Sequence, residues 1–172
     1  PPEWIDIIRD GGFYGWPFAY AYQTYIDFSR TGSYRRMLPL SQEDSLLVQS
    51  MERPVALVDA HVAPMGIHFY AEDRFPSQYH NAAFVAYRAG FRGPDPGHKI
   101  VALFADLDGS NVRVGDFLTG FWPAPPDQAT IWGKPVGVTT DREGSLYLTS
   151  DWINHLVLKV EYHGPSTAVL EE

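Results

Sequence analysis

The feature that most constrains the fold is a succession of short β-type runs, each bounded by Gly, Pro, Asp or Asn. After residue 54 these runs cover 55–58, 66–70, 83–87, 100–104, 136–140, 146–149 and 156–162. No apolar period of a helix persists there over a window long enough for an ordinary helix. Connections this short favour antiparallel pairing. The sequence therefore predicts an all-β fold beyond residue 54.

A weak internal repeat indicates how these strands are organised. Pro64-Met65-Gly66-Ile67 returns as Pro135-Val136-Gly137-Val138, and two further strands follow each copy in the same order. A proline-led strand followed by hairpin-connected strands is typical of a β-propeller blade. With blades of about 40 to 50 residues, the 172 residues supply about three or four of them. We therefore predict a partial propeller of four-stranded antiparallel sheets, whose ring cannot close.

The first third of the chain differs from the rest. Residues 1–23 are rich in aromatic residues and glycine, and residues 24–54 are more polar, with neither clean alternation nor a sustained helical period. We predict a long irregular insertion near residues 24–54, with one short helix at 45–49. Residues 1–172 are predicted to form a single partial propeller domain, with the blade strands at 55–172.

Composition excludes several classes of protein. Thirteen Lys and Arg against 21 Asp and Glu give a net charge of −8, which disfavours a general binder of nucleic acid. The absence of cysteine excludes disulfides, thiolate catalysis and zinc ribbons. No window approaches the roughly 20 apolar residues of a membrane span. The start at Pro1-Pro2 shows neither an initiator Met nor a signal sequence, so we expect a mature or truncated product.

Four motifs occur in an order that resembles a known family. They are Asp10-Gly11-Gly12-Phe13-Tyr14-Gly15-Trp16-Pro17, His61-Val62-Ala63-Pro64-Met65-Gly66, Trp132-Gly133-Lys134-Pro135-Val136-Gly137-Val138 and Asp141-Arg142-Glu143-Gly144-Ser145-Leu146-Tyr147. Over nearly its whole length the chain resembles the C-terminal half of the glucose/sorbosone dehydrogenase family. The resemblance implies a six-bladed β-propeller that holds pyrroloquinoline quinone (PQQ), usually with calcium, and oxidises sugars or related alcohols and aldehydes.

The resemblance also implies cofactor-binding residues, because a flat ortho-quinone with three carboxylates needs cations and hydrogen-bond donors around it. His61 falls where the family's strand enters the channel, and its imidazole either donates to the cofactor or is bonded to the backbone. Lys134 stands where many relatives have a carboxylate-binding arginine, so the charge is kept and the bidentate fork is lost. Arg92 fits the terminal arginine of a motif whose His-Gly-Ser portion is lost. Arg88 either replaces that lost cation or faces solvent.

Two parts of the family's site fall outside this chain. The resemblance places the catalytic base in the first half of the family, and the carbonyls that hold calcium just before the segment matching Pro2-Glu3-Trp4. Neither a catalytic residue nor a metal ligand is therefore predicted here. His68 has opposite side-chain parity from His61 and is predicted to be structural. The acidic stretches at 106–109 and 141–144 are predicted to be turns, not calcium loops.

Two functions remain open from the sequence. The first is the C-terminal portion of a quinone-dependent sugar dehydrogenase that passes electrons to an acceptor such as a cytochrome. The second is a non-catalytic, propeller-like docking subunit, favoured by the missing base and by the changes at Lys134 and Arg88. The resemblance implies a periplasmic or secreted location. We expect the missing half of the propeller, or other protein subunits, to cover the open blade edges.

Overall fold

The computed structural model of the protein describes residues 1–30, 38–88, 97–152 and 154–164. The chain divides into two compact units, Pro1–Ala60 and His61–Glu172. Apart from one α-helix and two short 3-10 turns, the regular elements of the described residues are β-strands. The predicted all-β partial propeller is confirmed. The single domain spanning residues 1–172 stays a prediction.

The first unit is built from two small antiparallel ribbons and a helix. β1 (Glu3–Ile5) pairs with β4 (Ala56–Val58), and β2 (Ala19–Tyr20) pairs with β3 (Thr24–Tyr25). The helix α1 spans Gln42–Gln49. Within the part of the chain that the structure describes, no helix has the length and apolar character that crossing a membrane requires.

The helix α1 begins three residues earlier than predicted, because a capping box fixes its start. The Ser41 hydroxyl accepts a hydrogen bond from the Asp44 backbone, and the Asp44 carboxylate accepts one from the Ser41 backbone at 2.9 Å. This Ser-x-x-Asp spacing is visible in the sequence. Apart from α1 and β3, the described residues of 24–54 form no regular element, which confirms the predicted irregular insertion.

The second unit contains two antiparallel meanders. The first joins four strands in sequence order, β5 (Pro64–Phe69), β6 (Ala83–Tyr87), β7 (Lys99–Phe104) and β8 (Arg113–Leu118). The second joins three, β9 (Pro135–Thr140), β10 (Leu146–Ser150) and β11 (Leu156–Val160). Each copy of the sequence repeat opens one meander, since β5 and β9 are the first strands.

An aromatic core packs against both meanders. Tyr70, Phe84, Phe121 and Leu146 are almost wholly buried in it. The Tyr70 hydroxyl accepts a hydrogen bond from the Phe75 backbone at 2.9 Å and donates one to the Gly144 carbonyl at 3.1 Å. The polar end of this buried tyrosine is therefore satisfied, while its ring contributes apolar area.

β5 and β9 lie side by side, because Gly66 lets their backbones meet. A Cβ on Gly66 would come within 2.6 Å of the Val136 carbonyl oxygen and 3.1 Å of Gly137 Cα. Further along the same strands, His68 Nε2 lies 2.9 Å from Thr140 Oγ1. The two strands therefore run in the same direction, and the residues that precede them lie at the same end of the unit.

Gly66→Ala should destabilise the protein, because the new Cβ would overlap main-chain atoms of β9. We expect the free energy of unfolding, measured by urea denaturation, to fall by about 1–3 kcal/mol. Gly115→Ala in β8 is the matched control, because a Cβ there meets nothing within 4 Å. It should leave stability unchanged or raise it slightly. Equal losses in the two variants would contradict the close approach of β5 to β9.

Candidate functional site

Polar side chains collect at the end of the second unit where β5 begins. Pro64, the first residue of β5, pairs with Tyr87, the last residue of β6, which in turn pairs with Lys99, the first residue of β7. Arg88 follows Tyr87 and His98 precedes Lys99, so these two residues lie opposite each other, one position beyond this last pair. The Arg88 backbone N–H donates to the Ala63 carbonyl at 3.2 Å. Antiparallel register thus brings residues distant in sequence to one edge.

The second meander contributes residues to the same end. Lys134 immediately precedes β9, and Asp151 immediately follows β10. The Lys134 backbone N–H donates to Ser150 Oγ at 2.9 Å, and the Asp151 backbone N–H donates to the Lys134 carbonyl at 3.4 Å. These bonds hold the two chain segments next to each other.

An ion pair links the two meanders across this end. Arg88 Nε donates to both carboxylate oxygens of Asp151, each at 2.9 Å. The Arg88 side chain is 20% exposed and that of Asp151 is 47% exposed, so the pair lies at the border between interior and solvent. Hydrogen bonds between charged partners are shorter and stronger than neutral ones. Asp151 thereby fixes the side chain of Arg88.

Lys134 lies deeper than this ion pair. Only 1% of the residue is exposed, and its Nζ lies 5.0 Å from the centroid of the Trp152 ring. The face of an aromatic ring attracts a cation, and the attraction is larger where water is excluded. A lysine buried to this degree is rare and costs desolvation free energy. The fold therefore places a positive charge inside the protein.

His98 is a buried histidine that no sequence motif indicated. The residue is 2% exposed, and neither ring nitrogen has a hydrogen-bond partner. Its ring centroid lies 5.3 Å from that of Trp122. Burial, together with the positive charges of Lys134 and Arg88, lowers the pKa of His98 from 6.5 to about 4. At neutral pH His98 is thus an uncharged imidazole with one N–H donor and one free lone pair.

Two tryptophans stiffen the loop between β8 and β9. The Trp122 indole N–H donates to the Asp127 carbonyl at 2.8 Å. The Trp132 indole N–H donates to the Gly120 carbonyl at 2.7 Å, and its ring stacks on Phe121 with centroids 4.8 Å apart. These bonds fix the loop that carries Trp122, whose ring packs against His98.

The structure brings together part of the predicted site. Arg88 and Lys134 both contact Asp151, Arg88 through its guanidinium and Lys134 through its backbone carbonyl. His61 lies three residues before β5, in a turn with φ of +70°, and is exposed. Arg92 lies outside the described residues. The assignment of His61, Lys134, Arg92 and Arg88 to cofactor binding stays a prediction.

His68 lies away from this cluster and bonds β5 to β9, the first strands of the two meanders. Its Nε2 is 2.9 Å from Thr140 Oγ1, and Thr140 Oγ1 donates to Glu72 Oε1 at 2.7 Å. A threonine hydroxyl has one proton, so His68 Nε2 is the donor in the first bond. This arrangement fits a structural role for His68.

The two acidic stretches form turns. The Gly109 backbone N–H donates to the Asp106 carbonyl at 2.9 Å, and the Gly144 backbone N–H donates to the Asp141 carbonyl at 3.1 Å. Within the described ranges, no group of three or more His, Asp or Glu side chains has an arrangement that could hold a metal ion.

Comparison with known proteins shows which fold the chain shares. No family model matches the sequence. An uncharacterized protein of Borreliella burgdorferi (strain B31) is 26% identical over 160 residues, which cover 91% of this chain and 38% of that protein. A calcium structure of a Trichoderma reesei protein of carbohydrate-active enzymes family AA12 matches with a TM-score of 0.60 and 22% identity, over 88% of this chain and 39% of that one.

A second solved structure with the same fold is that of a PQQ domain. The holo form of the PQQ domain of pyranose dehydrogenase from Coprinopsis cinerea matches with a TM-score of 0.57 and 19% identity, over 88% of this chain and 40% of that one. The chain thus spans about two fifths of the length of these proteins. At this level of identity the likeness shows a shared fold.

Protonation of His98 should destabilise the fold in mild acid. The pKa of His98 is about 4 in the folded protein against 6.5 for an ordinary histidine, so between these values the unfolded chain binds more protons. The free energy of unfolding should therefore fall as the pH is lowered from about 6.5 to about 4, by on the order of 2–3 kcal/mol. Urea denaturation at a series of pH values measures this loss.

The variant His98→Asn separates this loss from the titration of carboxylates. Asparagine does not titrate, so the variant should lose less stability than the wild type over the same pH range. His80→Asn is the matched control, because His80 is exposed and is paired with Asp73 at 3.5 Å. Identical pH profiles for wild type and His98→Asn would contradict the low pKa of His98.

Proposed function

We propose that the chain is the C-terminal portion of a PQQ-dependent sugar dehydrogenase, and that it binds the carboxylates of the cofactor at Arg88 and Lys134. One observation carries the proposal. Two cations lie together with a buried imidazole at the end of the unit where β5 and β9 begin. Neither nitrogen of this imidazole has a hydrogen-bond partner. The fold that the chain shares with a PQQ domain supports the same function.

The residues present fit the chemistry of PQQ. Its carboxylates need positively charged partners, which Arg88 and Lys134 supply, and its flat ring needs an aromatic or apolar surface, which Trp152 offers beside Lys134. The neutral imidazole of His98 adds one donor and one acceptor. When bound, PQQ supplies the oxidising chemistry, since its quinone accepts a hydride from an alcohol.

The residues of this chain would bind and orient the cofactor and would exclude water from its carboxylates. Lys134 gives one point contact, where an arginine would give two parallel hydrogen bonds. Arg88 must exchange at least one bond to Asp151 for a bond to the ligand. The resemblance places the base that accepts the substrate's hydroxyl proton outside this chain. Sugar oxidation is therefore proposed for the whole protein. Calcium and an electron acceptor such as a cytochrome belong to the same proposal.

Completion of the propeller ring is part of the same proposal. Among the described residues, β11 forms one edge of its sheet, and Val157 on that strand is 71% exposed. The remaining half of the propeller, or another protein subunit, would cover this strand. A periplasmic or secreted location belongs to the same proposal and rests on the family resemblance.

A non-catalytic structural or docking subunit is the second candidate, and one observation favours it. Asp151 already neutralises Arg88, while Lys134 and His98 are only 1% and 2% exposed. A closed polar cluster of this kind ties the two meanders together without any ligand. PQQ titration of the chain with calcium present, followed by an assay of dye-linked sugar oxidation by the whole protein, distinguishes the two functions. Binding supports the cofactor site, whereas neither binding nor oxidation supports the structural subunit.

Lys134→Gln should weaken PQQ binding by several-fold, because it removes the positive charge and keeps a side chain of similar length. Lys134→Arg should preserve or strengthen binding, since a guanidinium offers a carboxylate two hydrogen bonds. Fluorescence titration with PQQ measures the three affinities. Urea denaturation of each variant shows whether it remains folded. Equal affinities in the three proteins would remove Lys134 from the site.

A further inference from the structure

His98 differs from the other residues with buried, unpaired polar side-chain atoms in the described part of the chain. Such atoms occur on Glu3, Asp6 and Arg74, each of which has one, whereas both ring nitrogens of His98 are unpaired. Leaving a buried polar atom without a partner is unfavourable, because the atom loses its hydrogen bonds to water and gains none in the protein. A histidine that keeps two such atoms needs a reason other than stability.

The position of His98 points to a ligand as that reason. It lies across the β6–β7 ladder from Arg88, one residue beyond the Tyr87–Lys99 pair. It is also close enough to Arg88 and Lys134 for both charges to act on its ring. An anion held by these two cations would lie within reach of the imidazole and would accept its N–H.

We propose that His98 is a ligand-binding residue of this site, and that it takes up a proton when a carboxylate ligand binds at Arg88 and Lys134. This inference rests on the proposed function and extends it. The ligand carboxylate accepts the N–H of one ring nitrogen. The second nitrogen, which has a free lone pair in the neutral imidazole, then gains a proton from solvent. No covalent bond is formed or broken except this N–H bond.

The charges around His98 determine in which direction a bound carboxylate changes the pKa of this residue. Among the described residues near His98, Arg88 after β6 and Lys134 before β9 are cations, and Asp151 after β10 is an anion bonded to Arg88. Lys99 on β7 is paired with Asp116 on β8, His61 before β5 is exposed, and the loop before β9 presents the ring of Trp122. Burial and the two cations keep His98 neutral, with a pKa of about 4. A bound carboxylate opposes both cations and raises that pKa.

Isothermal titration calorimetry with PQQ, in the presence of calcium, tests the inference. Titrations at one pH in buffers of different ionisation enthalpy give the number of protons taken up on binding. At pH 5.5 we expect uptake of about one proton per PQQ, since carboxyl groups titrate near pH 4 and remain ionised. The Kd should rise about tenfold per pH unit until the pH reaches the pKa of His98 in the complex.

His98→Asn is the decisive variant. His98 has a φ of +54°, and asparagine tolerates this left-handed conformation better than most residues. The variant should take up no proton, and its Kd should be independent of pH between 5.5 and 7.5. His80→Asn should retain the wild-type uptake, because His80 lies in the connection between β5 and β6, at the other end of the sheet.

The outcomes separate this inference from the proposed function. Binding of PQQ without proton uptake, or uptake that survives in His98→Asn, would overturn the role of His98 and leave the cofactor site standing. Failure of the wild type to bind PQQ would overturn both. NMR titration of the His98 ring gives a second readout. Its pKa should rise on addition of PQQ, and an unchanged pKa would contradict the inference.

Discussion

The close approach of β5 to β9 at Gly66 determines how the rest of the second unit is arranged. With no Cβ at this position, the backbone of one meander comes against the Val136 carbonyl of the other. The His68–Thr140 hydrogen bond continues the same contact further along the strands. Since β5 and β9 run in the same direction, the strand ends that carry Arg88 and Lys134 meet at one end. A wider spacing would separate Arg88 from Asp151.

The aromatic core makes this close approach stable. Phe75 packs edge-on against Phe84 and Phe117, with ring centroids 6.1 Å and 5.5 Å away. Edge-to-face contacts of this kind add to the free energy of area burial. Tyr70 joins this cluster through its ring and bonds the Gly144 carbonyl through its hydroxyl. The same residue therefore contributes to the core and fixes the turn between β9 and β10.

Short-range patterns in the sequence predicted most of the second unit. Runs bounded by Gly, Pro and Asp predicted β5, β6, β7 and the three strands of the second meander, because alternation and turn chemistry are local. The start of α1 was also predictable, since Ser41 and Asp44 have capping-box spacing. It was not predicted, because the polar residues around them show no helical period. The strand β8 was not predicted, because Arg113–Leu118 holds a glycine and an aspartate and half of it is exposed.

The candidate site was predictable only in part, because its geometry depends on register and on contacts between distant segments. Family resemblance indicated Lys134, and it indicated Arg88 as a candidate replacement for the cation lost from the family's motif. No local pattern marks His98 or Asp151. The position of His98 opposite Arg88 follows from the pairing of Tyr87 with Lys99, which the sequence does not encode at short range.

The local charge of the site also differs from that of the whole chain. The chain has a net charge of −8, yet this cluster buries the positive charge of Lys134 beside the Trp152 ring. Burial removes the water that would otherwise screen this charge, so a nearby anion interacts with it more strongly than at the surface. A second positive charge on His98 would be costly without such an anion. A bound carboxylate would offset the second charge, so our proposal implies that the affinity of the cluster for anions depends on pH.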